Sequence, residues 1–144
     1  MTQEGRVEVK VSHRFSASAE RVFDAWLDVA QMRKWLFATA TGTMVRAEVD
    51  PRVGGKFIFT ERRDGVDVEH HGLYVEIDRP RRLAFDFTVP IASDEATRVI
   101  IEVTPTSGGC ELVLTHQGVF ADFQERTAGG WTMILVNQAA AMAA

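Results

Sequence analysis

The sequence predicts an α+β fold in which a curved antiparallel sheet of about seven strands wraps round one long C-terminal helix. Two patterns predict it. Through most of the chain apolar residues recur at every second position, which is typical of half-buried strands. In the final stretch they recur at spacings of three and four, which is typical of one helical face. A helix with a wide apolar stripe is unstable alone, so we expect it to pack on the sheet.

Length and composition narrow the class of protein. The chain has 144 residues, enough for one domain with a sizeable core, and we expect residues 1–144 to form that single domain. A net charge of −4 argues against nucleic-acid binding, and no apolar run approaches the roughly 20 residues of a membrane span. The first residues do not resemble a signal peptide. One cysteine, Cys110, excludes an internal disulfide and favours the cytoplasm. Oligomeric state is left open.

The N-terminal part predicts one strand followed by two short helices. Residues 7–15 alternate between apolar and polar side chains, as a half-buried strand does. Ser18 is a candidate N-cap, with Glu20 in the first turn, where the helix dipole favours negative charge. The pattern breaks at residues 28–30, and Met32 and Trp35 indicate a second helix. These helices should cover one end of the sheet.

From Gly42 onward the period of two returns and predicts six more strands. Turns are expected at residues 50–55, 64–65, 79–82 and 107–109, with a polar loop at 90–96. Short connections between successive strands favour antiparallel pairing. The predicted inward-facing rows are Phe57, Phe59 and Glu61; His71, Leu73, Val75 and Ile77; Leu83, Phe85 and Phe87; Val99, Ile101 and Val103; and Leu112, Leu114 and His116.

The last helix is predicted over residues 122–144. Asp122 is a candidate N-cap and Glu125 its capping-box partner. One helical face is formed by Trp131, Ile134, Leu135, Gln138 and Met142. Gly129 and Gly130 each cost roughly 1 kcal/mol relative to alanine inside a helix. Either the regular helix begins near Trp131, or the backbone passes so close to the sheet that a Cβ has no room.

Several stretches resemble a known family. They are Phe15, the run Glu20-Arg21-Val22-Phe23-Asp24-Ala25-Trp26, Trp35, the turn Asp50-Pro51-Arg52-Val53-Gly54-Gly55, and Gly130-Trp131. Together they resemble the START-like, Bet v 1-like (SRPBCC) superfamily, and within it the branch named after the activator of Hsp90 ATPase. The resemblance implies the helix-grip fold, often with an apolar cavity between sheet and helix. The co-chaperone of that name has a further N-terminal domain for which this chain has no room, so we expect its chaperone role to transfer poorly.

The candidate ligand-binding residues lie where the alternation points inward. The apolar ones are Trp26, Trp35, Phe57, Phe59, Phe85, Phe87, Trp131 and Leu135. Each could equally be plain core, but a sheet that curls round a helix leaves a gap unless large side chains fill it. Glu61, His71 and His116 are the polar candidates. Each needs a partner if it is buried. They would either orient a ligand's polar end, or lie at strand ends in water or beside a neighbour.

The sequence carries little that indicates catalysis or a cofactor. His70 and His71 are adjacent on a strand and point to opposite faces, so they cannot chelate a metal together. We find no nucleophile elbow and no phosphate-binding glycine loop. We therefore expect a non-enzymatic protein without metal or cofactor that binds a small apolar or amphipathic molecule. The alternative is an interaction module that acts on an Hsp90-like chaperone. A cyclase- or aromatase-like enzyme, with His71 and Glu61 as an acid–base pair, is a further alternative.

Overall fold

The structure is a computed structural model that describes residues 5–37, 41–93 and 95–143. Within those residues one strand is followed by two short helices, six strands and one long helix. The strands are β1 (Arg6–Phe15), β2 (Thr43–Val49), β3 (Lys56–Arg63), β4 (Val66–Asp78), β5 (Arg82–Thr88), β6 (Thr97–Thr106) and β7 (Gly109–Phe120). The helices are α1 (Ala19–Ala25), α2 (Val29–Trp35) and α3 (Gln124–Ala143).

The seven described strands form one antiparallel sheet in the order β1-β7-β6-β5-β4-β3-β2. All neighbours are successive in sequence except β1, which returns to pair with β7. One strand of the pair carries an extra residue in β7 opposite β1, in β2 opposite β3 and in β4 opposite β5, as in a β-bulge, and bulges increase the bend and twist of a strand. The sheet therefore curls, and α3 lies in its concave side against β1. The predicted α+β helix-grip architecture is confirmed.

Local capping explains the two short helices. The Ser18 hydroxyl accepts a hydrogen bond from the backbone N–H of Arg21 at 3.2 Å, as its predicted N-cap role requires. Asp28, which we read as a break in the pattern, caps α2 through the N–H of Ala30 at 3.0 Å. The break is therefore a helix start, because an aspartate carboxylate satisfies a free N–H of the first turn.

The start of α3 differs from the prediction. A single 3-10 turn at Ala121–Phe123 follows β7 directly, and no side chain caps it. Asp122 lies inside that turn, so the predicted capping box with Glu125 is wrong. The predicted helical face is confirmed: Trp131, Leu135 and Gln138 are buried, and Ile134 and Met142 are partly buried.

Neither interpretation of the two helix glycines is correct. Both lie inside α3, which begins at Gln124, well before Trp131. A Cβ at Gly129 or Gly130 would have no atom of another part of the protein within 4 Å. They are therefore not required by close packing against the sheet.

Candidate functional site

The space between sheet and helix is divided into a filled half and an open half. The filled half lies under α1 and α2. There Trp26 packs edge-on against Trp35 with ring centroids 4.8 Å apart, and Phe57 packs against Phe59 at 5.8 Å and Phe85 at 5.0 Å. Each of these five side chains is at most 1% exposed. The structure places these predicted ligand-binding residues in the core, away from the cavity wall.

The open half is a cavity of about 570 Å³ under the first part of α3. Its walls come from all the described strands except β2, from the loop between β5 and β6, from Phe37 after α2, and from α3 with the turn that precedes it. Most of the wall is apolar or aromatic: Phe37, Phe87, Val89, Val119, Phe120, Phe123, Trp131, Met133 and Ile134. Phe120, Phe123 and Met133 are 44%, 48% and 59% exposed, so the cavity opens to solvent between them. Pockets of this size and lining are typical of small-molecule sites.

A chain of hydrogen bonds fixes one wall of the cavity. The Trp131 Nε1–H donates to Nδ1 of His116 at 3.0 Å. Because Nδ1 accepts, the neutral His116 ring carries its proton on Nε2, which lies 2.7 Å from Oγ1 of Thr97. The Thr97 hydroxyl donates in turn to the Phe87 carbonyl oxygen at 3.3 Å. Both ring nitrogens of His116 are thus used inside the protein, and burial lowers the pKa of this histidine to about 4. His116 therefore shapes the wall.

Glu61 is buried at the same end of the sheet but does not face the cavity as a free acid. Its carboxylate is 1% exposed and pairs with the Arg63 guanidinium, whose side chain is 37% exposed. Arg63 lines the cavity and Glu61 does not. A buried carboxylate needs such a partner, because an unpaired charge in the interior is costly. Glu61 faces inward, as predicted. Its ion-pair partner Arg63, and not Glu61 itself, lines the cavity.

The predicted inward direction of His71 is wrong. In the β3–β4 pairing Phe57 lies opposite Gly72 and Phe59 opposite His70, and directly paired residues share a face. His70 is therefore the inward histidine, 6% exposed. His71 lies on the outer face, where Nε2 is 2.7 Å from the Glu69 carboxylate.

A bulge in β4 explains the error. Pairing with β5 shifts between Tyr74 and Glu76. Because of this extra residue, Tyr74 and Ile77 both face inward although they are three positions apart, which a regular strand does not allow. Reading the alternation back from Ile77 through Val75 inverts the face of every earlier residue. Gly72 is a clue that the sequence does contain: a Cβ there would lie 2.0 Å from a ring carbon of Phe57. An inward glycine is required because that ring crosses over it.

His70 and Phe37 form a second aromatic wall. Phe37 follows α2 with a left-handed backbone (φ 57°), and its ring stacks on His70 at 4.1 Å with an interplanar angle of 6°. It also stacks on Phe87 at 5.3 Å. The Nδ1 atom of His70 lies 3.1 Å from the Phe59 carbonyl oxygen. Burial lowers the pKa of His70 to about 4. At neutral pH both inward histidines are uncharged.

Leu135 and Gln138 hold the second half of α3 on the filled core. Both side chains are 0% exposed. Gln138 accepts from Trp26 Nε1 at 3.1 Å and donates to the Val22 carbonyl oxygen at 3.3 Å, which ties α3 to α1. Leu135 does not line the cavity, so the structure gives it a packing role instead of the predicted ligand contact.

Among the residues that the structure describes, the cavity lining carries more positive than negative charge. Arg6, Arg63 and Arg126 line it, against one carboxylate, Glu95. Arg6 pairs with Glu95 and donates to the Gly118 carbonyl oxygen at 2.9 Å. The Arg126 guanidinium lies over the Phe123 ring at 5.6 Å, and none of the salt bridges among the described residues involves it. These arginines lie in a strand start, a strand end and a helix, and sequence periodicity gave no reason to group them.

Of the predicted ligand-binding residues, Phe87, His116 and Trp131 line the cavity, and their contact with a ligand stays a prediction. Sequence reasoning missed Phe37, His70 and Ile134 as wall residues. Ile134 was on the predicted inner face of α3, so it could have been included. Among the residues that the structure describes, no three His, Cys, Asp or Glu side chains come together as a metal site would need.

Comparison with known proteins agrees with this architecture. Residues 16–143 match the family model of "Activator of Hsp90 ATPase homolog 1-like protein". The chain belongs to this family. A comparison with curated proteins gave no match. None of the described helices is long and apolar enough to cross a membrane.

Several solved structures superpose on this chain over nearly its whole length. A protein from Chromobacterium violaceum is 25% identical, with a TM-score of 0.81, covering 92% of this chain and 94% of its own. A protein of unknown function from Staphylococcus aureus is 16% identical, with a TM-score of 0.83, covering 94% and 93%. An AHSA1-like protein from Aeromonas hydrophila is 20% identical, with a TM-score of 0.79, covering 94% and 91%. These likenesses concern the fold.

Proposed function

We propose that this family member binds a small amphipathic molecule in the cavity between the first part of α3 and the open end of the sheet. The observation that carries the proposal is the division of the interior. Five large aromatic side chains fill one half, while a cavity of about 570 Å³ remains in the other. A largely apolar cleft of this size, open to solvent at one side, is typical of a small-molecule site.

The charge at the mouth supports an acidic group at the exposed end of that molecule. Counting only residues that the structure describes, three arginines and one glutamate line the cavity. Arg6 and Arg63 pair with Glu95 and Glu61, whereas Arg126 forms no salt bridge among the described residues. A guanidinium over an aromatic ring is well placed for a carboxylate or phosphate, because its donors remain free at the ring edge.

We propose binding without catalysis. The acid–base pair that an enzyme of this fold could use, Glu61 with His71, is separated by the sheet, since His71 lies on the outer face. His116 already has a partner on each ring nitrogen. A cytoplasmic location, which the single buried Cys110 favours, belongs to the same proposal.

Two measurements test the binding proposal. The protein, purified natively and then denatured, is analysed by mass spectrometry for a co-purified small molecule. An apolar fluorescent probe is then titrated into the emptied protein and displaced with fatty acids of increasing chain length. We expect saturable probe binding at one site and displacement by the acids. Failure of the probe to bind would contradict the proposal.

A chaperone-directed interaction is the second candidate, and one observation favours it. Phe120 and Phe123, before α3, and Met133 and Val136, within it, are all at least 44% exposed. Exposed apolar side chains in a group are typical of surfaces that contact another protein. Three of the four also line the cavity mouth, so the same residues serve the first proposal.

A further inference from the structure

His70 brings one hydrogen-bond acceptor to the cavity wall. Its side chain lies on the inward face and is 6% exposed. The partner of its Nδ1 is a backbone carbonyl oxygen, that of Phe59, at 3.1 Å. A carbonyl oxygen can only accept, so Nδ1 must carry the proton. In the neutral ring Nε2 is then a bare acceptor, and no hydrogen bond joins it to another described residue.

The surroundings keep the ring in that state. Burial is the main reason that the pKa of His70 falls to about 4; the Phe59 hydrogen bond opposes it, and the nearby Arg63 and Glu61 act in opposite directions with smaller effects. Phe37 stacks almost parallel on the ring and fixes its plane. Unlike His116, whose two nitrogens are both used, His70 therefore offers a fixed, uncharged acceptor.

We propose that the ligand of this cavity carries a hydroxyl or N–H group at its buried end, which donates a hydrogen bond to Nε2 of His70. This inference rests on the proposed binding function and names the chemistry of the buried end. A carboxylate or ether oxygen at that position would bring a second acceptor against the Nε2 lone pair. A donor satisfies Nε2, whereas a ligand that brought no donor would cut this nitrogen off from solvent without a partner.

The test compares two competitors of equal size against a bound apolar fluorescent probe. One is a linear primary alcohol of about ten carbons, and the other is the methyl ether with the same number of heavy atoms. In wild type we expect the alcohol to displace the probe at about threefold to tenfold lower concentration, the range for one hydrogen bond between neutral groups.

Two variants separate the role of His70 from general effects. His70→Phe keeps an aromatic ring for Phe37 to stack on but removes the acceptor, so the alcohol should lose its advantage while the probe still binds. His71→Phe changes the neighbouring residue on the outer face and should keep the preference of wild type. Equal displacement by alcohol and ether in wild type, or an unchanged preference in His70→Phe, would overturn the inference.

A measurement on wild type alone covers the case in which His70→Phe does not fold. Nitrogen-15 NMR of the histidine rings should show His70 protonated on Nδ1 and bare on Nε2. The Nε2 resonance should move when the alcohol is added and stay when the ether is added. A proton on Nε2 in the free protein would refute the inference. Absence of probe binding to wild type would refute the binding function itself, which is a different result.

Discussion

At the scale of single residues, His70 and His116 link the cavity wall to the pH dependence of stability. Both have a pKa lowered from 6.5 to about 4 in the folded protein, with burial as the main cause. Since the folded pKa lies below the unfolded one, the folded state binds fewer protons between these values. Stability is therefore complete above about pH 6.5 and is lost as the pH falls toward 4.

We predict that urea unfolding will show this loss. Between pH 7.5 and pH 5, each histidine should lower the free energy of unfolding by about 2 kcal/mol, because its pKa differs between the unfolded and the folded state. His70→Phe should remove about half of the pH dependence. Glu61 and Arg63 face His70 and contribute in both proteins. A flat stability between pH 7.5 and 5 would show that the two rings are not buried as described.

The histidine pair also marks a limit of sequence reasoning. Strand alternation predicts that one of His70 and His71 is inward, but one unseen bulge decides which. A bulge depends on how two strands pair, and the residues of one strand do not show where its pairing with the next strand shifts. The same reasoning was correct for Glu61 and His116, in strands where no shift separates them from the apolar residues used to set the phase.

At the scale of elements, α3 has two halves with different roles. Its second half is fixed to the core by Leu135 and Gln138, whereas its first part, from Arg126 to Ile134, covers the cavity. The 3.6-residue period predicted the buried face of α3 because both halves obey it. The helix start was harder to predict, because β7 enters α3 through a 3-10 turn without a side-chain cap.

We predict that Leu135→Ala will lower the unfolding free energy by about 2–5 kcal/mol, as truncation of a buried leucine does. Leu135 is 0% exposed, and its loss leaves a hole in the filled half of the interior. Val136→Ala is the matched control, since Val136 is the next residue and is 45% exposed. Urea unfolding of both variants measures the difference. A loss under about 1 kcal/mol for Leu135→Ala would mean that the buried face has been assigned incorrectly.

At the scale of the whole molecule, the fold could be predicted from the sequence and the cavity could not. Periodicity, turn residues and the family resemblance together lead to a sheet wrapped round a helix. Whether Trp26 or Trp131 fills the space or borders a gap depends on side-chain volumes and rotamers in three dimensions. The open half became visible only when the curvature of the sheet and the position of α3 were known.

The chaperone candidate is tested with a purified Hsp90 homologue. We predict that adding this protein will not raise the ATPase rate, because three of the four exposed apolar residues line the cavity that we propose a small molecule occupies. ATP hydrolysis is measured over a range of ratios up to stoichiometric amounts. A reproducible, dose-dependent increase of severalfold would place the interaction function ahead of ligand binding.

If the ligand lies beside the first part of α3, substitutions at the two helix glycines should show it directly. Gly130 lines the cavity, Gly129 does not, and neither would place a Cβ against another part of the protein. Replacing either glycine should stabilise the helix by a similar amount, because glycine is unfavourable inside a helix. Probe affinity is measured by fluorescence titration for wild type, Gly130→Phe and Gly129→Phe. We predict that Gly130→Phe weakens probe binding by about tenfold or more, equivalent to about 1.4 kcal/mol, while Gly129→Phe binds the probe as wild type does. Equal affinity of all three proteins would contradict it.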